Sequence, residues 1–239
     1  MASYQVDRGV EAYPPFPQEH HGIVWRQLDA RDLHALSALF ARMEARDNPP
    51  YRTAFAEVEE MLSPASLWWG IAAFATKGIA QGRMVAFAQT RLRFSERIEC
   101  VCQGGVDPDF RRIGLGSSLL EWQIAAARSM LERNEDNGQR AIVSFVENWQ
   151  DELENALKAR GFHWERTYYD LRAKLDPLPQ TPSLGSYMTI EQWSPSWDDE
   201  LRRAANLIAQ QQGRAALTEE QWTMGRSSFA PDWSYIAVD

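Results

Sequence analysis

Two cysteines in 239 residues are too few for a framework of disulfide staples. Cys100 and Cys102 stand at i and i+2, so on a strand both face one side, and neither spacing nor compartment argues for a disulfide. Four scattered histidines give no metal-ligand spacing, so no metal is expected, and His20-His21 reads as solvated within a Pro-rich polar lead-in. Positive charge is also in deficit, with 25 Lys and Arg against 33 Asp and Glu and a net charge of −8. That balance argues against a general nucleic-acid binder, which presents positive charge to phosphates. Long apolar runs are missing too. The longest, Leu67-Trp-Trp-Gly-Ile-Ala-Ala-Phe-Ala75, falls far short of the roughly 20 residues a membrane span needs. The first twenty residues carry Asp7, Glu11 and Glu19 and no apolar core, so no secretory signal is expected and the expected location is cytoplasmic.

What remains is an ordinary globular composition, 44% apolar and 24% charged. The length lies between one domain and two. Residues 1–21, with Pro14-Pro15-Phe16-Pro17, read as an irregular lead-in. Ile23 to Leu28 reads as a strand. Asp29 can then cap a helix with Leu33, Leu36, Phe40 and Met43 on one stripe, stopped by Asn48-Pro49-Pro50. Thr53 is expected to cap a second helix carrying Phe55, Val58 and Leu62. The period then changes. Trp68–Ala75 reads as a buried strand, Met84–Arg93 as a strand whose polar Gln89, Arg91 and Arg93 meet solvent, and Arg97–Val106 as its hairpin partner through Ser95-Glu96. A strong helix with Leu120, Ile124, Ala127 and Leu131 follows, then a strand over 141–146. A helix over 151–160 ends at Gly161, and 162–175 is extended. Asp176 to Ser183 holds three prolines and reads as a linker. After it, strand, helix, helix and strand recur: Met188–Trp193, Asp198–Ile208, a helix capped by Thr218, and Trp233–Val238.

The stretch richest in chemistry is Val106-Asp-Pro-Asp-Phe-Arg111-Arg-Ile-Gly114-Leu-Gly116-Ser117. A strand ends there, a short loop with two arginines and two glycines follows, and a helix begins. The first amides of a helix have no internal acceptor and point along its axis, so they form an anion site. Glycine lets a ligand approach the backbone, and arginine adds a fork of donors suited to phosphate. A pyrophosphate is a natural guest; the plainer reading is a tight turn before a helix. A dinucleotide fingerprint is disfavoured because Asp107-Pro108-Asp109-Phe110 separates strand from glycines, and no Gly-Lys-Ser/Thr closes a Walker loop.

Arg111-x-x-Gly114-x-Gly116, entered from a strand ending Val106-x-Pro108 and opening a helix, resembles the acyl-CoA signature of the GNAT acetyltransferase superfamily. The order of elements over 22–175 is similar to that fold. The resemblance implies an α/β (α+β) architecture: a mixed, mostly antiparallel sheet flanked by helices. It implies acetyl-CoA as acyl-donor co-substrate and a strand splayed from its neighbour to pair with the pantetheine arm. By resemblance, Val106 supplies the main-chain contact, and Arg111, Arg112, Gly114, Gly116 and Ser117 the phosphate cradle. The whole chain resembles the tandem-GNAT proteins common in actinobacteria, with 22–175 a first unit, 176–185 the linker and 186–239 a partial second unit without a second signature. That short piece is expected to pack on the first unit or on a neighbouring chain, the latter giving a homo-oligomer through the C-terminal part.

Histone-type members carry a glutamate base six residues before the Val106 position, where this chain has Cys100. Adjacent Glu99 is the base candidate, since a bulge in Gln103-Gly104-Gly105 would alter its facing; the other reading is a solvated strand carboxylate. Many members place a tyrosine where this chain has Leu157, able to protonate the departing thiolate. Tyr168 and Tyr169 read as packing residues, and buried strand cysteines are inert by default. The expected function is N-acetyl transfer from acetyl-CoA to a primary amine on a small molecule or peptide. The alternative is a non-catalytic acyl-CoA-binding or sensing module.

Overall fold

The computed structural model describes residues 13–18, 22–64, 66–94, 97–134, 138–171, 174, 176–177, 187–211, 216–223, 226 and 229–238. Most of the N-terminal lead-in, the Ser95-Glu96 turn and most of the Pro-rich linker lie outside the described residues. By packing, the chain divides into residues 1–145 with 209–216, and residues 146–208 with 217–239.

In the first unit the order is β1 (Ile23–Gln27), α1 (Leu33–Asp47), α2 (Phe55–Met61), β2 (Trp68–Ala75), β3 (Met84–Phe94), β4 (Ile98–Val106), α3 (Leu115–Glu132) and β5 (Arg140–Ser144). The five strands form one sheet in the order β1-β2-β3-β4-β5. Successive pairs are antiparallel except β4 with β5, which run parallel. A parallel pair needs a crossover, and α3 supplies it. The sheet is therefore mixed and mostly antiparallel, with helices on it, as the resemblance implies.

The core lies in two layers. Cys100, Cys102, Ile71, Ala73 and Trp69 pack with Leu115, Leu119, Trp122, Ala126 and Met130 of α3. Ala72, Met84 and Phe87 pack with Leu36 and Leu39 of α1 and Val58 of α2. With apolar neighbours on both faces, β2 reads as a continuous apolar run instead of alternating. A register shift at Ala73/Phe74 leaves Val85 as the extra residue, so β3 bulges against β2.

Three local expectations are corrected. Asp29 caps a 3-10 turn, Ala30–Asp32, that precedes α1, its side chain accepting from the Arg31 N–H at 2.8 Å. The cap position of α2 is Ala54 and not Thr53; Glu57 accepts the Ala54 N–H at 2.7 Å, while the Thr53 N–H goes to Glu44 Oε1 at 2.8 Å. Gln89 does not meet solvent. It is buried and donates to the Met61 carbonyl at 2.7 Å, beside Arg91, which donates to the same oxygen at 2.6 Å. The last carbonyls of a helix need donors, and α2 ends over this face, so polar side chains point inward there. Burial holds the Arg91 guanidinium below its ordinary pKa.

The second unit contains α4 (Asp151–Lys158), β6 (Thr189–Gln192), most of α5 (Asp198–Gln211), α6 (Glu219–Thr223) and β7 (Tyr235–Val238). Gly161, at φ +85°, takes the left-handed position after α4. The expected extended strand over 162–175 forms no ladder among its described residues; tyrosines and tryptophan give a segment β propensity, but pairing decides a strand. β6 and β7 pair antiparallel. Thr218 and Gln221 close a capping box at the start of α6, each side chain accepting the other's N–H at 3.1 and 3.0 Å. Among the described residues no helix is long and apolar enough to cross a membrane.

Candidate functional site

The two edges of β4 behave differently along its length. Asp107 N–H donates to the Val85 carbonyl at 2.8 Å, on the β3 side, and Ile98 N–H donates to the Gln139 carbonyl at 2.9 Å, on the β5 side. Main-chain groups alternate between edges along a strand. Even-numbered residues from Ile98 to Val106 therefore aim their N–H and C=O away from β3. Pairing with β5 ends at Cys102↔Ser144, whereas pairing with β3 continues to Val106↔Ala86. Past that point Gly104 and Val106 present main-chain groups along an edge that no described strand covers. The ladder ends with β5 itself, at Ser144, short of the end of β4.

Where β4 ends, a 3-10 turn (Pro108–Phe110) leads into the loop, with Arg112 at φ +66° and Gly114 at φ +93°. Both lie in the left-handed region, which glycine accepts readily and arginine enters at a cost of roughly 1–3 kcal/mol. The first bond of α3 runs from Ser118 N–H to the Gly114 carbonyl at 3.1 Å. The amides of Leu115, Gly116 and Ser117 precede it and have no helical acceptor, and Gly114 supplies no side-chain cap. A Cβ on Gly114 or Gly116 would meet nothing within 4 Å. The helix thus offers an open, donor-lined N-terminus with the positive end of an 18-residue dipole behind it. The chemistry of this donor set suits an anion such as a diphosphate.

Side chains fasten the loop. Asp107 is fully buried and accepts from Arg42 Nε at 2.6 Å and from the Asp109 N–H at 3.1 Å. Arg111 Nε donates to the Val106 carbonyl at 3.1 Å, and its Nη atoms donate to the two carboxylate oxygens of Asp47 at 2.7 and 2.6 Å. On the α3 side, buried Gln123 donates from Nε2 to the carbonyls of Gln89 and Gln103, at 3.1 and 2.8 Å, next to the end of the β4–β5 ladder. Sequence reading singled out none of Arg42, Asp47, Asp107 and Gln123, because their partners lie between 20 and 65 residues away.

A search of solved structures finds likeness at the level of fold. A GCN5-related N-acetyltransferase from Sphaerobacter thermophilus superposes with a TM-score of 0.63 at 18% identity, over 94% of this chain and 69% of that one. This chain has the GNAT fold. A possible acetyltransferase from Clostridium difficile 630 matches with a TM-score of 0.46 at 14% identity, over 64% of this chain and 99% of its own. A ribosomal-protein-alanine N-acetyltransferase from Brucella melitensis biovar Abortus 2308 matches at 0.45 and 15%, over 64% of this chain and 100% of its own. No protein-family model matches the sequence. No curated protein matches it either.

On this GNAT fold the cradle residues named from sequence, Val106, Arg111, Arg112, Gly114, Gly116 and Ser117, fall together at one strand–loop–helix junction. Glu99 does not join them. It sits seven residues before Val106 on β4, about 23 Å along a strand rising about 3.3 Å per residue. Its buried carboxylate is held by Arg93 on one oxygen and by Arg97 Nε at 3.1 Å on the other. No bulge interrupts the β3–β4 register from Ile98 to Val106. Cys100 and Cys102 are buried, and burial pushes the Cys100 thiol up to about 12 and the Cys102 thiol further in the same direction. Leu157 is buried on α4. Among the described residues no cluster of His, Cys, Asp or Glu could hold a metal ion.

Proposed function

We propose that the protein is an N-acetyltransferase that binds acetyl-CoA along the open edge of β4 and the start of α3 and transfers acetyl to a primary amine. The observation that carries the reading is the conjunction of two main-chain surfaces: an edge of β4 that no described strand covers beyond Ser144, where the Val106 carbonyl takes the Arg111 Nε–H, and first-turn amides of α3 without helical acceptors beside it. Gly104 and Val106 would pair with the amides of a pantetheine arm. The amides of Leu115, Gly116 and Ser117 would take the diphosphate, with Arg112 adding positive charge at the rim. Arg111, its fork turned to Asp47, serves through the loop it holds. The coenzyme would supply an activated thioester, and the chain would supply alignment of the two substrates, which alone can lower the barrier by several kcal/mol. The acceptor is a small molecule or peptide amine, with no nucleic acid or membrane as partner and a cytoplasmic site of action. Residues 186–239 read as the opening of a second GNAT-like unit, since β6 and β7 pair antiparallel around two helices as β1 and β2 do.

A second reading, an acyl-CoA-binding module without turnover, is favoured by one observation. The base candidate Glu99 is spent in two ion pairs. Release of free thiol from acetyl-CoA across a panel of amines separates the two. Amine-dependent release supports the enzyme; saturable binding with no release supports the module. A ligand at 100 times its Kd stabilises the fold by about 2.7 kcal/mol, so an unfolding midpoint unmoved by millimolar acetyl-CoA refutes both. Within the enzyme reading, Glu99→Gln assigns the base: a loss of about 10²-fold or more in kcat would make Glu99 the base, and a near-unchanged kcat would remove it.

A further inference from the structure

Two ion pairs cross between α1 and the loop after β4. Arg42 of α1 meets Asp107 of the loop, and Asp47 of α1 meets Arg111 of the loop. On the helix the cation comes first and the acid five residues later. On the loop the order is reversed, the acid first and the cation four residues later. The contact is therefore directional: α1 fits this loop in one register and would oppose like charges if it slid. Arg42 is anchored a second time, since its Nη2 donates to the Met84 carbonyl at 2.7 Å and its Nη1 to the Ala38 carbonyl at 3.0 Å. The Arg111 end is two-pronged as well, with Nε on the Val106 carbonyl and both Nη atoms on Asp47. A bidentate guanidinium–carboxylate pair fixes orientation as well as distance.

The loop so held contains Arg112 at φ +66° and Gly114 at φ +93°, a backbone that local preference alone would not select. Arg42 pins its first residue, Asp107, in the interior, and Asp47 pins the Arg111 side chain immediately before the left-handed residue. Two residues further on stands Gly114, and after it come the amides of α3.

We propose that Asp47 is a positioning residue of the acyl-CoA site: by holding the Arg111 fork it fixes the loop from Asp107 to Gly114 and with it the direction of the α3 amides. This rests on the acyl-CoA reading above. The rival reading makes Arg111 a phosphate ligand that Asp47 holds back, and the two predict opposite signs. If Asp47 restrains a ligand, its neutralisation tightens coenzyme binding. If it positions the loop, neutralisation weakens it.

The test is titration calorimetry with acetyl-CoA, alongside steady-state kinetics, on the full chain, Asp47→Asn, Arg111→Asp and the charge-swapped pair Asp47→Arg/Arg111→Asp. Asp47→Asn is expected to raise Kd and KM for acetyl-CoA about tenfold, a coupling of roughly 1.4 kcal/mol, while kcat at saturating acetyl-CoA stays within about threefold. The swapped pair should bind at least several-fold more tightly than Arg111→Asp alone. The pair is about one-third exposed on both sides, with side-chain exposures of 36% and 34%, so it adds little to stability. The ligand-free unfolding midpoint of Asp47→Asn should therefore hold while the Kd moves, which separates positioning from a merely structural role. Unchanged or tighter binding by Asp47→Asn overturns the proposal, as does a swapped pair no better than Arg111→Asp. Wild-type chain that fails to bind acetyl-CoA overturns the acyl-CoA reading and the proposal together, whereas normal wild-type binding with an indifferent Asp47→Asn overturns the proposal alone.

Discussion

Gly104 and Gly105 are neighbours on β4, yet alanine should be tolerated at one and not at the other. A Cβ on Gly104 would lie 2.9 Å from the Phe87 carbonyl oxygen, 3.3 Å from Gln123 Nε2 and 3.4 Å from the Ala88 Cα. Two of these are main chain in the centre of the sheet, and the third is a buried amide fixed by two hydrogen bonds. None can retreat without moving β3 or loosening α3, and overpacking of this kind costs about 1–3 kcal/mol. For a domain of this size each kcal/mol lowers the unfolding midpoint by about 2–4 °C, so Gly104→Ala should lose roughly 4–8 °C for a cost near 2 kcal/mol. A Cβ on Gly105 would instead overlap the Met43 side chain, closest at Sδ and with Cε at 2.8 Å, and stand 3.5 Å from the Phe87 ring. A thioether with three rotatable bonds can swing away, and alanine removes about 0.4–1 kcal/mol of unfolded-chain freedom. Gly105→Ala should unfold within about 2 °C of wild type. Scanning calorimetry on the two variants decides the matter. Because Gly104 offers its main chain on the uncovered edge, Gly104→Ala should also weaken acetyl-CoA binding, and Gly105→Ala should not. Equal midpoints, or a larger loss at Gly105, would refute the packing reasoning. A Gly104→Ala protein that is destabilised but binds normally would refute the role of this edge.

Two further outcomes are expected of the same structure. Gly114→Ala meets open space, so its effect comes only from holding a β-carbon at φ +93°, roughly 1–2 kcal/mol; a raised KM for acetyl-CoA with a modestly lowered midpoint is expected, and neutrality in both would count against the loop geometry. The thiols of Cys100 and Cys102 keep their protons in the fold well above the ordinary value of 9.0. Their contribution to stability is whole below about pH 9, where the unfolded chain is protonated too, and shrinks as pH rises toward the folded value near 12. Urea midpoints should therefore fall between pH 9 and 11, less steeply in Cys100→Ala, and iodoacetamide at pH 8 should label neither thiol until the chain is unfolded; rapid labelling of the native protein would refute this burial and reopen a thiol as acyl acceptor.

Much of the fold was legible in the sequence because its signals are local. Trp68–Ala75 is apolar throughout since helices cover both sheet faces, and α3 shows its stripe because one side alone meets the sheet. The proposed cradle could be read for the same reason. Main-chain chemistry at a strand–loop–helix junction needs only glycines and a helix start, and both are written in consecutive residues. Gln89 was misread because a polar residue in a strand suggests solvent, and nothing within eleven residues of β3 announces that the open carbonyl at Met61 lies above it.

The side chains that fasten the cradle escaped a linear reading for a different reason. Arg42 and Asp47 look like the solvated face of an amphipathic helix, and Asp107 like one polar residue of a loop; their meaning arises only when the fold brings positions 64 and 65 residues apart into contact. Glu99 differs: its partners Arg93 and Arg97 stand only six and two residues away, and the β3–β4 hairpin register brings the Arg93 guanidinium beside its carboxylate. Coenzyme capture on this scaffold can thus be carried by backbone that any sequence with the right glycines supplies. On the proposed reading its orientation would depend on a few charges contributed from α1. A chain can keep the first while the second drifts, so substitutions at Asp47 and Arg42 should tune coenzyme affinity without touching the motif itself.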